Sequence, residues 1–124
     1  MIQSAPIFLL DSEPESLASM QALFRCAGYE TSTFEDPVCL LDTMRAAIPT
    51  AIVASASMPS MQGPSLIKAL HEIRPKLPIV MIAADSDIAS AVLALKSGAS
   101  NFIEKPVVDR VLLELVEQAI ASKQ

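Results

Sequence analysis

The 124-residue chain has no tryptophan, one tyrosine and four phenylalanines, so any core it builds is aliphatic. It has three glycines and no low-complexity tract, which excludes a collagenous or linker-like polymer. No apolar run approaches the roughly 18 residues of a membrane span; the longest uncharged stretch, 46–67, is broken by proline and serine. The amino terminus lacks a basic segment leading into an apolar one, so no signal peptide is read and a cytoplasmic setting is expected. Cationic side chains are scarce too. A net charge of −5 argues against gripping nucleic-acid phosphates unaided. The two cysteines, Cys26 and Cys39, lack metal-ligand spacing and fall in apolar helical patterns, so they read as reduced core thiols.

What is present is 52% hydrophobic residues, enough for one compact domain over 1–124. Strand-like runs alternate with helical periodicity five times. The strands read as 6–11, 29–34, 50–55, 77–84 and 101–106. The first helical stripe is Leu17, Met20, Phe24 and Ala27; the second is Val38, Leu41, Met44 and Ile48 after the Asp36-Pro37 start signal. Leu66, Leu70 and Ile73 mark a third, Ile88, Val92 and Leu95 a fourth, and Val108, Val111, Leu112, Leu115 and Ala119 a fifth. Five βα units of this size predict an α/β, doubly wound, five-stranded parallel sheet of order 2-1-3-4-5, flavodoxin-like, with five helices. Ligands of such sheets bind beyond the carboxyl ends of the strands, where strand order reverses. The residues due there are Asp11, Ser12 and Glu13, then Ser55 and Ser57, then Ala83 and Ala84, then Lys105.

Three segments, "LLDSEP" (9–14), "MPSMQG" (58–63) and "AVLALKSGASNFIEKP" (91–106), carry a resemblance over residues 6 to about 120. In this order and spacing the chain resembles a bacterial response-regulator receiver domain of two-component signalling. The resemblance implies a domain that takes a phosphoryl group from a histidine kinase onto an aspartate ending the third strand. Mg²⁺ would be held there by acidic residues after the first strand, with a hydroxyl after the fourth and a lysine before a proline after the fifth. Position by position, Asp11 matches the first acid, Lys105 the lysine and Phe102 the aromatic that reorients on switching. Lys105-Pro106 is the place for the cis peptide found in such receivers.

The departures are more telling. Ser12 stands for the second acid, Ser55 for the phosphoacceptor and Ala83 for the phosphoryl-binding hydroxyl. A serine hydroxyl is a weak nucleophile without a general base, and the one histidine, His71, falls in the third helix. Asp11 and Glu13 alone are a thin donor set for a hard cation. The expectation is therefore a degenerate receiver, not an enzyme and without a cofactor, with Mg²⁺ binding weak or absent and Lys105 paired to Asp11. It would act through protein partners: a histidine kinase, another regulator, or a second copy docked through helix 4, strand 5 and helix 5. Nucleic acid would enter only through an output domain beyond this one.

Plainer roles stand beside these. Ser12 fits a helix cap, since Ser12-x-x-Glu15 has capping-box spacing. Ser55 can simply end a buried strand, Phe102 can be core, and Glu104 and Arg110 a solvated rim. Two further readings stay open: phosphorylation by non-standard chemistry on Ser55, and a small-molecule sensor using Asp11 and Lys105.

Overall fold

The computed structural model describes residues 5–122. Its main sheet has five parallel strands: β1 (Ile7–Leu10), β2 (Thr31–Phe34), β3 (Ala51–Ser55), β4 (Ile79–Ala83) and β5 (Asn101–Glu104). Their spatial order is β2-β1-β3-β4-β5, as the alternation of strand and helix predicts. Five α-helices connect and follow them: α1 (Pro14–Cys26), α2 (Pro37–Met44), α3 (Gly63–Ile73), α4 (Ile88–Lys96) and α5 (Asp109–Ser122). Between β3 and α3, where only a turn is read from the sequence, a two-residue antiparallel ladder pairs Ser57 with Gln62 and Met58 with Met61.

Side-chain alternation splits the aliphatic core between the two faces of the sheet. Ile7, Leu9, Val53, Val80 and Ile82 pack with Leu17, Met20 and Phe24 of α1 and Leu112, Val116 and Ala119 of α5. Phe8, Leu10, Ile52, Met81 and Ala83 pack with Leu40 and Met44 of α2, Leu66, Ile67 and Leu70 of α3, and Ala91 and Ala94 of α4. β1, β3 and β4 are buried along their whole length, whereas the edge strand β2 is not.

Several helical phases differ from the sequence reading. In α2 the inward residues are Leu40 and Met44; Val38 is 53% exposed, and the helix stops before Ile48. In α4 the small Ala91 and Ala94 face inward, Val92 and Leu93 face out, and Ile88 and Leu95 are only partly buried. The physical reason is close approach: a Cβ on Gly63 of α3 would lie 3.3 Å from Ser90 Oγ and 3.5 Å from Ala94 Cβ, so large side chains do not fit that seam. α5 starts after Val108, which is exposed; within it Val111 is exposed while Val116 is buried. Cys26 and Cys39 are both exposed and free, not core thiols. Cys26 follows Phe24 by two residues, about 200° around α1, and so faces away from its buried stripe. Cys39 flanks the Leu40–Met44 stripe on its solvent side, and Ala27 caps α1 from outside the helix. Gly98 ends α4 with φ +123°, and a Cβ there would meet His71 Cε1 at 2.7 Å. Only glycine suits that position.

Candidate functional site

Strand order reverses between β1 and β3, so the crevice at their carboxyl ends is the topological place for a site. Asp11 leaves β1 buried, 2% exposed. Its N–H donates to the Phe34 carbonyl at 3.1 Å, and its Oδ1 accepts the Glu13 N–H at 3.0 Å. That side-chain turn carries the chain into α1, where Pro14 takes the first helical position. Glu13, and not Ser12, is therefore the N-cap residue, because proline fixes the helix start one residue later than a capping box from Ser12 requires. Ser12 is exposed.

Lys105 is placed from the other side. Its N–H donates to the Ala83 carbonyl at 2.9 Å, extending the β4–β5 pairing, and the Lys105–Pro106 peptide is cis. Its Nζ lies 3.9 Å from Oε1 of Glu13, not against Asp11 as the sequence reading expects. Glu13 reaches outward to meet it, whereas Asp11 is turned into the chain by its own hydrogen bond. The Glu13 carboxylate also accepts a hydrogen bond from Ser16 Oγ at 3.2 Å. Both partners of the ion pair are substantially solvated, so its contribution to stability is below about 1 kcal/mol.

Ser55 ends β3, is 4% exposed and stands opposite Ile82 of β4. Ala83 ends β4 fully buried within the α2–α4 face of the core. Phe102, opposite Met81, is partly buried against the same core. Glu104 and Arg110 are exposed, as read from the sequence. His71 is elsewhere: its Nε2 lies 3.4 Å from the Leu77 carbonyl, ahead of β4 and so at the opposite end of the sheet from Ser55.

Asp11, Glu13, Lys105 and Pro106 line a single cleft of about 480 Å³ between α1 and the start of α5. Ser55, Ala83 and Phe102 do not line it. The cleft recruits residues the sequence reading missed: Glu15, Ser16 and Ser19 of α1, and Asp109 of α5. Glu15 and Ser19 share one helical face at i, i+4, a signal that was available; their meeting with Asp109 is a tertiary fact.

The magnesium that the resemblance implies can be tested against these donors. Four carboxylates, Asp11, Glu13, Glu15 and Asp109, line the cleft, with Glu13 engaged by Lys105, and no group of three or more His, Cys, Asp or Glu side chains among the described residues could hold a metal ion. Mg²⁺ keeps several waters and takes one or two protein carboxylates, but Ser12 and Ser55 stand where the resemblance implies acids, so the donor set does not fit the ion in the way the resemblance implies.

A parallel 2-1-3-4-5 sheet with helices on both faces, an acid after β1 and a Lys–cis-Pro after β5 defines the class: a doubly wound, flavodoxin-like α/β domain. The comparison with known families is specific: residues 7–117 match the response regulator receiver domain, and the chain belongs to that family. It is 30% identical over 114 residues to the C4-dicarboxylate transport transcriptional regulatory protein DctD of Pseudomonas aeruginosa, covering 92% of this chain and 25% of DctD. It is 29% identical over 120 residues to the transcriptional regulatory protein FixJ of Bradyrhizobium diazoefficiens, covering 97% of this chain and 58% of FixJ. Among solved structures, full-length FixJ from B. japonicum superposes with a TM-score of 0.92 at 28% identity, over 99% of this chain and 61% of that one. The receiver domain of NtrX from Brucella abortus gives 0.88 at 27% identity, over 94% and 98%. The chain thus spans between a quarter and three-fifths of these two curated relatives. No helix among the described residues is long and apolar enough to cross a membrane.

Proposed function

We propose that residues 1–124 act as a degenerate receiver: a regulatory, protein-interaction module of two-component signalling that is not phosphorylated on aspartate and catalyses no reaction of its own. The observation that carries this reading is Ser55. It occupies the buried carboxyl end of the central strand beside Asp11, where capture of a phosphoryl group calls for an anionic oxygen. Ala83 at the end of β4 supplies no hydroxyl for a phosphoryl oxygen, and the donors near Asp11 do not suit Mg²⁺. Charge compensation, the main catalytic resource of phosphoryl transfer, is correspondingly short.

The experiment is incubation with Mg²⁺ and acetyl phosphate, then intact-mass measurement under neutral and acidic conditions. Unmodified protein is the expected result. A stoichiometric phosphoryl adduct overturns the reading, and its mapping to Ser55 would establish the non-standard acceptor instead.

The same proposal assigns the working surface to the α4–β5–α5 face and the setting to the cytoplasm. Val92 and Leu93 of α4, and Val108 and Val111 around the start of α5, are exposed aliphatics, and β5 is an edge strand. Such a face suits a kinase, another regulator or a second copy of the chain. Contact with DNA would come through a separate output domain, in keeping with relatives named as transcriptional regulators of which this chain covers only part. Sedimentation of wild type and Leu93→Asp tests the face: association that the substitution abolishes supports it, and association left unchanged removes it.

A further inference from the structure

We propose that a groove at the amino-terminal end of the sheet docks a second copy of this chain, through the acidic start of that copy's α2. The groove, of about 560 Å³, lies between the connections that lead into β3 and β4, at the opposite end of the sheet from Asp11 and Ser55. Three prolines, Pro49, Pro75 and Pro78, stiffen its walls. Backbone hydrogen bonds fix them further: the Thr50 N–H donates to the Pro6 carbonyl and the Ile52 N–H to the Pro78 carbonyl, each at 2.9 Å. Ile48 reaches the groove from one layer of the core and Ile120 from the other. Arg74 and Lys76 stand exposed at its rim. No carboxylate lines it, and neither cation has an acidic oxygen within 4.0 Å among the described residues. A chain of net charge −5 thus leaves two unpaired cations beside apolar surface.

The complementary occupant joins a bare aliphatic group to negative charge, and the chain itself carries one. Among the described residues the exposed large hydrophobics are Val38, Val92, Leu93, Val108 and Val111. Val92 and Leu93 have no acid within four residues, and Val108 and Val111 bracket Asp109 and Arg110, whose charges cancel. Val38 is different. It is 53% exposed in the first turn of α2, follows the exposed Glu35 and Asp36, and has no cation within six residues. Compensation of the helix dipoles accounts for acids at the start of α2 and for Arg74 at the end of α3, but not for the aliphatic surface left open beside each. Val38 follows the carboxyl end of β2 whereas the groove lies at the amino ends of β3 and β4, so one molecule does not fill its own groove. The contact is heterologous, the start of α2 in one copy against the groove of the next. It does not rest on the chemistry of Ser55.

The test is sedimentation velocity at an ionic strength of about 0.05 M, in a Leu93→Asp background that silences the α4–β5–α5 face so that the two surfaces fail separately. Concentration-dependent self-association is expected. Arg74→Glu reverses a charge at the groove, and Val38→Lys replaces the aliphatic group with a cation; each should weaken association about tenfold. An equimolar mixture of the two variants should recover association and stop at dimers, because one molecule keeps only its α2 end and the other only its groove. Raising the ionic strength to about 0.5 M should weaken the contact several-fold. A Leu93→Asp chain that stays monomeric up to about 1 mM overturns the proposal. So does a mixture that associates no more than its two components, or association indifferent to salt. Should Arg74→Glu not fold, Lys76→Glu makes the same reversal at the rim.

Discussion

β1 and β3 lie side by side with Leu10 opposite Ala54, and each hands the chain to a buried polar residue, Asp11 in one case and Ser55 in the other. These are the two buried polar side chains among the described residues, and they differ in charge. Asp11 has a structural task that accounts for a carboxylate without any phosphoryl chemistry: it accepts the Glu13 N–H and so turns the chain from β1 into α1. Ser55 carries no charge and sits where an acid would face Asp11 across one inter-strand spacing. An acid at one strand end is thus consistent with folding alone. The functional signature requires acids at both ends, and here one is neutral.

The largest effect is expected from restoring the missing charge. Ser55→Asp would set two buried carboxylates about 5 Å apart, repelling by about 3 kcal/mol at an effective dielectric of 20. Without metal, the variant should melt about 10 °C below wild type. Millimolar Mg²⁺ should recover part of that loss while leaving wild type unmoved. Thermal unfolding of both proteins with and without Mg²⁺ measures this. A wild type that Mg²⁺ stabilises as strongly as the variant would erase the contrast between the two strand ends.

Next in size is the turn. Asp11→Ala leaves the Glu13 N–H without its side-chain acceptor and is expected to cost about 1–2 kcal/mol in urea unfolding. Asp11→Asn, which keeps an acceptor, should cost less than about 0.5 kcal/mol. If both substitutions cost the same, the negative charge and not the hydrogen bond is what the position supplies.

Lys105→Ala separates the two acids further. Had Lys105 been the counter-ion of buried Asp11, its removal would cost about 3–5 kcal/mol. Its partner is instead the exposed Glu13 at 3.9 Å, so a loss of about 0.5 kcal/mol is expected from the same unfolding measurement. A loss of several kcal/mol would show that Lys105 serves Asp11 after all.

The strands were legible in the sequence because aliphatic runs such as 51–55 and 79–83 have one sensible fate, burial on both faces, and their order followed from expecting five βα units to wind doubly. The helical phases were less so. Large aliphatics dominate any stripe drawn on residues 88–96, yet the packing against α3 admits only Ala91 and Ala94 and turns Leu93 outward, 52% exposed. At the site, sequence placed Asp11, Glu13 and Lys105 in one region but paired the lysine with Asp11, whereas it meets Glu13. That choice depends on Asp11 turning back to the backbone, a matter of side-chain geometry two residues away. The cleft was the least visible feature, because Ser16 and Asp109 lie far apart in the chain and line one cleft only through the tertiary fold.

The smallest expected effect lies at the far end of the sheet from Asp11 and Ser55. Tyr29, just ahead of β2, has its phenol pKa raised above the ordinary 10.0, first by burial, then by the negative charge of Glu117 and by hydrogen bonding to it. The unfolded chain therefore releases this proton at lower pH than the folded one. The stability it contributes is fully present below about pH 10 and declines as pH rises through the raised folded value. Urea midpoints for wild type and Tyr29→Phe from about pH 9 to pH 12 should show a steeper alkaline decline in wild type. Lysine titration is common to both proteins and cancels in the difference. Parallel declines would mean that Tyr29 contributes nothing to the alkaline limb and would send the search for its cause back to the charged groups around Asp11.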